Sequence, residues 1–551
     1  VDLHSEPAVP GPREGFDLNT TETAAESPQP AAAIDIGTNA VRMAVAQIHP
    51  DNRIEVLEQM TRPCRLGHDT FRTGRLSRET VGSLLEILRD YRQVLGTYDV
   101  KLIRAVATSA LSEASNRDAV LDRISRTVDL DIDVIEPVEQ SRLTVAAVRH
   151  AVEGQVDLSR GTTMIVDVGG GSTRITVLKR GQIAASNDFD IGSIRMRDML
   201  LVSNEPPARA AETLRRHVVN TVEYARKAMG LKRAQAFIAI GAGARFAAQH
   251  AGERFLLSEL SEVGRKDLER FIDKCVSLEP SVLARTYNTP LVDAERLVPG
   301  LLVYNALLQA TRTSAMLVSN VTMREGLLLD LPRYVTGRED PELTESILTS
   351  AKNIAAKYSD DVMHSEQVAE LSVRIFDALQ KDHGLLPRHR MLLQVAAQLH
   401  EIGKFIGSRG HHRHSQYLIS NTGILGLRRA DIRVIAHVAR YHRGGPPKSS
   451  HLEYIALPRK QRNVVNKLAA ILRVADALYK GHLHPVGDFD VKRQGSELVV
   501  TVRGNVDMVL PRRALAIKGD FFEDMFGMKV RLEQAPAAAA EDLRADAHDM
   551  R

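Results

Sequence analysis

The chain has 551 residues, 44% hydrophobic and 26% charged, with no Trp and only 4% aromatic residues. This is the mixture of a globular multidomain protein whose cores are filled by aliphatic side chains, and the scarcity of aromatics argues against base-stacking on single-stranded nucleic acid. Two distant cysteines, Cys64 and Cys275, cannot build a disulfide framework or a cysteine metal cluster, so a reducing compartment is expected. The net charge is +4 but uneven: residues 1–30 carry six acids and one base, whereas residues 401–450 carry nine Lys or Arg against Glu401 and Asp431. No apolar run is long enough to span a bilayer, and the first residues lack the basic-then-apolar pattern of a secretion signal, so a cytoplasmic protein is expected.

In chain order, residues 1–30 are rich in Pro, Glu, Ser, Thr and Ala without hydrophobic period, and read as a disordered tail. AAAIDIGTNAVRMAVAQI then reads as two strands broken by a Gly-Thr-Asn turn, followed by helical spacing in SRETVGSLLEILRDYRQVL. A strand (VKLIRAVAT), a helical stretch (NRDAVLDRISRTV) and a strand (DLDIDVIEP) complete a first α/β lobe over 31–157. A second lobe over 158–335 opens with TTMIVDVGGGSTRITVLKRGQI. The two openings repeat: Gly37 and Gly169 stand two residues after Asp35 and Asp167, and Arg42 and Arg174 seven after, at an offset of 132 positions. Two similar lobes with a cleft between them are implied. Amphipathic helices dominate 343–485, a small β-rich unit is expected over 486–535, and 536–551 reads as a frayed tail.

The duplicated hairpins carry the chemistry. Glycine lets the main chain approach an anion closely, consecutive N–H groups form an anion-binding concavity, and a strand-terminal Asp can hold a cation or orient a water beside it. Thr38, Asn39, Ser172 and Thr173 add side-chain donors. The turns are not Walker A loops, since no Gly-Lys-Ser/Thr follows the glycines.

AAIDIGTNAVRMAV, VATSALSEASN, MIVDVGGGST and VSNVTMREGLLLD resemble the exopolyphosphatase/guanosine pentaphosphate phosphohydrolase family of the actin-like ATPase superfamily. The resemblance implies a duplicated, two-lobed actin-like (ribonuclease H-like) α/β fold and Mg²⁺-assisted release of terminal phosphate from polyphosphate or from pppGpp. It places Asp35, Gly37, Thr38, Asn39 and Arg42 in a first phosphate hairpin, and Asp167, Gly169, Gly170, Gly171 and Ser172 in a second. Thr108 and Ser109 match a Thr-Ser turn beside the cleft. The family's Gly-x-Glu-Glu-Ala segment reads Pro137-Val138-Glu139-Gln140-Ser141, which makes Glu139 the expected general base, with Asp167 as its catalytic companion. The chain departs from the pattern at Ser112, Gln140, Arg174 and Arg245, where Arg174 replaces a Glu. A binding protein with little turnover is therefore the alternative, and a small-molecule kinase is disfavoured by the altered Gly-rich segment at Gly241–Arg245.

The helical region resembles an HD-type domain through His364, His400-Glu401 and Asp476, and whether these hold a metal is left open. His411, Arg413, His414, Arg440, His442 and Arg443 are expected to form a cationic track for a long polyphosphate. The expected partners are polyphosphate or a guanosine polyphosphate, with no membrane and no nucleic acid; a homodimer is left open.

Overall fold

The computed structural model describes residues 27–200, 207–254, 260–336, 341–358, 361–424, 426–479, 489–503 and 508–535. The expected tails at 1–30, up to residue 26, and at 536–551 lie outside the described residues, as does the junction at 480–488. Gln29 and Pro30, expected in the tail, instead open the first strand.

That strand, β1 (Gln29–Ile36), is central in a five-stranded sheet. Its alanines alternate between two cores: Ala31 and Ala33 pack on one face, Ala32 and Ile34 on the other. A strand buried on both faces reads as a continuous apolar run, which is why AAAIDI precedes the turn. Around it lie β2 (Ala40–Ile48), β3 (Ile54–Pro63), β4 (Leu102–Ala107) and β5 (Asp133–Val134), in the order β3-β2-β1-β4-β5. β1 runs antiparallel to β2 and parallel to β4.

The second lobe repeats this plan. β6 (Thr162–Val168), β7 (Thr173–Lys179), β8 (Gln182–Phe189), β9 (Ala236–Ile240), β10 (Glu253–Arg254), β11 (Ser261–Gly264) and β12 (Ala315–Val318) make a sheet ordered β10-β11-β12-β9-β6-β7-β8. β8-β7-β6-β9-β12 corresponds to β3-β2-β1-β4-β5, with β6 antiparallel to β7 and parallel to β9. The registers agree: Asp35 faces Arg42, and Asp167 faces Arg174. The duplication read from residue spacing is thus a duplication of strand topology.

Between the sheets run the helices Pro137–Ala151 and Met323–Thr336. They cross closely at Gly326, where a Cβ would lie 2.1 Å from the Leu143 carbonyl oxygen. Thr322 and Glu325 set the start of the second helix: the Glu325 carboxylate accepts from the Thr322 backbone N–H at 2.7 Å, one half of a capping box.

From Pro341 to Tyr479 the described residues are mainly helical, and β13 (Phe489–Gln494), β14 (Glu497–Arg503) and β15 (Lys529–Ala535) form a three-stranded sheet. This sheet has no core of its own. Phe489, Leu498, Val500 and Phe522 join the same buried cluster as Leu392, Ile435 and Leu472 of the helices. No helix among the described residues is long and apolar enough to cross a membrane.

Candidate phosphate-binding cleft

The two duplicated turns face one cavity of about 440 Å³. In each, the glycine two residues after the Asp donates its N–H across the turn at 3.0 Å, Gly37 to the Ala40 oxygen and Gly169 to the Ser172 oxygen. The tips touch: a Cβ on Gly170 would fall 2.8 Å from Thr38 Cγ2, and one on Gly171 would fall 2.2 Å from the Phe71 ring. Glycine at these positions lets the second lobe close against the first.

Carbonyl groups of both turns are already occupied. Ser193 and Ile194, at the start of the helix Ser193–Leu200, donate their N–H groups at 2.9 Å to the oxygens of Gly169 and Gly170, and Arg195 Nε donates to that of Gly171 at 2.8 Å. In the first turn, Gly67 and Cys64 donate to the oxygens of Thr38 and Asn39. In a planar trans peptide the C=O and the following N–H point in opposite directions. The N–H groups of Asn39, Ala40, Gly170, Gly171 and Ser172 are therefore turned away from those donors, and all five residues line the cavity. This is the geometry of an anion cradle.

Asp35 and Asp167 lie at the ends of β1 and β6 and line the same cavity. Burial pushes both carboxyls above the usual carboxylate range, and each feels cations nearby: Arg42 for Asp35, Arg174 and Arg245 for Asp167. The negative charge of Asp167 raises Asp35 further. Asp35 Oδ2 accepts from Arg42 at 3.2 Å, while its Oδ1 is buried without a hydrogen-bond partner. Tyr304 backs the second turn: its hydroxyl accepts from the Val168 N–H at 3.3 Å and donates to the Ile240 oxygen. Gly241 has φ +109°, and a Cβ there would lie 2.9 Å from that hydroxyl.

Thr38, Asn39, Arg42, Thr108 and Ser109 line the cavity as expected of their turns. Glu139 does not, which corrects its expected place. It is buried on the far side of its helix, where Arg142 grips both carboxylate oxygens at 2.8 and 2.9 Å and also reaches Asp330 at 3.0 Å. The guanidinium holds the Glu139 carboxyl low despite burial, so it is an anchored anion. Consecutive helical residues point about 100° apart, and of Glu139 and Gln140 it is Gln140 that lines the cleft. Gln140 is held at both ends: its Oε1 accepts from Arg174 at 2.7 Å and its Nε2 donates to the Ile135 oxygen at 3.2 Å. Arg174 is also bound to both Asp188 oxygens at 2.7 Å. The two departures at 140 and 174 are thus one coupled arrangement.

Arg245 departs from the family pattern, and its guanidinium is of a kind that can grip a phosphate. It lines the cavity, its Nη1 is buried without a hydrogen-bond partner, and burial lowers its hold on its proton. Arg296 and Thr144 also line the cavity, and neither belongs to a motif that could have marked it. Ser112 does not reach it; its hydroxyl donates to the Ser109 oxygen at 3.2 Å.

The basic track is split by the structure. Arg413 and Arg443 are exposed, His414 and Arg440 half-buried. His411 and His442 are each 1% exposed and meet ring to ring, so they leave the track. They join His364, His400, Glu401 and Asp476, which come together inside the helical region.

A duplicated two-lobed α/β fold with opposed glycine turns and paired aspartates at the lobe boundary defines the class: an actin-like phosphate-handling protein. Within it, residues 44–334 match the Ppx/GppA phosphatase family and residues 348–485 match domain III of that family. The chain belongs to the Ppx/GppA phosphatase family, and is with it a phosphoanhydride hydrolase. It is 25% identical over 424 residues to a guanosine-5'-triphosphate,3'-diphosphate pyrophosphatase of Aliivibrio fischeri, covering 75% of this chain and 80% of the relative. A protein of the same description from Vibrio atlanticus is also 25% identical, over 76% of this chain and 81% of the relative. Among solved structures, an exopolyphosphatase from Cytophaga hutchinsonii superposes with a TM-score of 0.50 at 22% identity, covering 56% of this chain and 99% of that one, a likeness of fold.

Proposed function

We propose that the cleft binds the terminal phosphates of inorganic polyphosphate or of pppGpp and hydrolyses the last phosphoanhydride bond. The reading is carried by one observation: two opposed glycine turns, two aspartates with raised pKa and an unpartnered Arg245 nitrogen line a single cavity. The hard oxygen donors of Asp35, whose Oδ1 lacks a hydrogen bond, fit Mg²⁺. When bound there, Mg²⁺ would neutralise charge on the phosphate oxygens.

The chain's own residues would do the rest. Backbone N–H groups of both turns hold the equatorial oxygens, and Arg245 takes up charge that builds on them during transfer. With Glu139 locked away, Gln140 an amide and Asp35 assigned to the ion, Asp167 is the carboxylate of the two turns left to accept the proton of the attacking water; burial raises its pKa. Removing that base, by Asp167→Asn, is expected to lower kcat about 10²–10⁴-fold. The test is phosphate release from long polyphosphate, short polyphosphate and pppGpp with Mg²⁺, wild type against the variant. Equal turnover in the two would reject Asp167 as the base.

The Gln140–Arg174 pair favours a second reading, a polyphosphate- or alarmone-binding regulator with little turnover. Tight binding of these ligands without phosphate release by the wild type would select it.

A further inference from the structure

The helical region holds a cavity of about 780 Å³ that shares no lining residue with the cleft. Its size falls within the roughly 300–1,000 Å³ of small-molecule pockets. Much of its wall comes from the helices His411–Ser420, Arg429–Tyr441 and Leu452–Ile455. Arg413 and Arg440 are its cations, and among the described residues neither guanidinium has an ion pair or a hydrogen bond. Glu453, the carboxylate of the wall, accepts instead from Gln416 Nε2 at 2.7 Å. Arg440 is half-buried and feels the charge of Arg413 more than that of Glu453, so burial and like charge both loosen its hold on its proton. An anion beside the two guanidiniums relieves their repulsion, and the planar fork of each matches the oxygens of a phosphate.

His437, in the same wall, is 5% exposed and lacks a partner of another kind. Its Nδ1 is 2.8 Å from the Arg433 carbonyl oxygen. A carbonyl only accepts, so Nδ1 carries the proton and Nε2 presents a lone pair. Burial lowers the affinity of the ring for a second proton, which keeps it neutral. Nε2 is buried without a hydrogen-bond partner, and a buried acceptor left unmet costs stability. The interior units of a polyphosphate carry oxygens that accept and no N–H or O–H. Such a chain satisfies the arginines and leaves the imidazole unmet.

The rest of the wall is aromatic in a chain with few aromatics. Tyr417, Tyr441 and Tyr454 are three of the eleven tyrosines, and all three line this cavity. Tyr441 lies edge-on to Tyr454 at 5.7 Å and stacks on His451 at 5.6 Å, while Tyr417 is 65% exposed. A flat ring for the tyrosines, a donor for His437 and a phosphate for the arginines are joined in one small molecule, a phosphorylated nucleoside. We infer that this cavity binds a nucleoside monophosphate, with Arg413 and Arg440 on the phosphate, Tyr417 against the base and His437 Nε2 accepting from an N–H or O–H of the nucleoside. A single phosphate is assigned because Arg413 and Arg440 are the only Lys or Arg among the described lining residues.

The experiment is calorimetric titration of the full chain with GMP, AMP, guanosine and inorganic phosphate. Saturable binding of GMP or AMP at one per chain is expected, about tenfold or more tighter than guanosine or phosphate alone. Arg440→Gln should raise the Kd of that nucleotide about tenfold or more, and Tyr417→Ala about fivefold or more. His437→Phe, which keeps a ring and removes the acceptor, should weaken the nucleotide several-fold and leave inorganic phosphate unmoved. Tyr417 is exposed, so its variant keeps the test decisive if His437→Phe does not fold. Arg245→Gln, in the cleft, should not change the nucleotide Kd. Absence of saturable binding by both nucleotides would overturn the assignment. So would binding that Arg245→Gln removes and Tyr417→Ala spares, which would place the nucleotide in the cleft. Inorganic phosphate binding as tightly as the nucleotides would overturn it as well, leaving only an anion site.

Discussion

Glu139 and Gln140 differ by one position and about 100° of helix rotation, and that rotation separates an anchored ion from a cleft wall. Glu139 belongs to a chain of ions with Arg142, Asp330 and Arg333 in which every side chain is at most 10% exposed. Removing one partner of a buried pair strands the other, which typically costs about 3–5 kcal/mol. Arg142 keeps Asp330 as a second partner, so Glu139→Gln is expected near the lower end of that range, read as a fall in the urea midpoint at pH 7. The Glu139 pKa is depressed in the folded chain, so its contribution is present above the unfolded value of about 4.3 and is lost as pH falls through the folded one. Wild type and variant should therefore approach each other in stability as pH falls below the unfolded value and converge once it has passed the depressed folded one. Phosphate release per folded molecule should be unchanged; a large loss of kcat in a stable Glu139→Gln protein would return the base role to this residue. The sequence marked the segment through its motif but not its facing, because the rotation of a helix with polar residues on several sides is fixed only by what packs against it.

At the level of elements, the hairpins were legible because their chemistry is local. Asp, Gly and Arg recur at fixed spacing, and the antiparallel register that pairs Asp35 with Arg42 and Asp167 with Arg174 follows from turn length. Less legible was what lies behind them. Phe71 and Ser193 belong to no motif, yet one packs on Gly171 and the other donates to Gly169. This packing makes a specific demand on Gly171. Its Cβ would meet the Phe71 ring at 2.2 Å, a contact that obliges the ring or the apposed turns to shift. Gly171→Ala is expected to raise KM for polyphosphate about tenfold or more, since a misplacement of about 1 Å at a positioned site has cost of order 10²-fold elsewhere. Adding Phe71→Ala removes the obstacle and should recover much of the loss. If the double variant is no better than Gly171→Ala alone, the apposition of the turns is not what the glycine serves.

Across the whole molecule, charge rather than motif was misleading. The basic stretch at 401–450 reads as one solvated face, but burial sorts it: His411 and His442 go inward, while Arg413 and Arg443 stay in water. Composition cannot make that division, since histidine is at home in both settings and the deciding neighbours, His400 and Asp476, come from other helices. The remaining exposed cations still fit a long polyanion. Such contacts are screened over about 8 Å at physiological ionic strength, so they act on a chain long enough to leave the cleft and are weakened by salt. Replacing Arg413 and Arg443 together by Ala is therefore expected to raise the Kd of long polyphosphate several-fold and to flatten its salt dependence. Affinity for a short polyphosphate, held by the turns alone, should not move. Binding titrations at two chain lengths and several salt concentrations separate these effects: an equal change at both lengths would mean that the arginines act on the fold, and no change at either would mean that the polyanion leaves the cleft along another face.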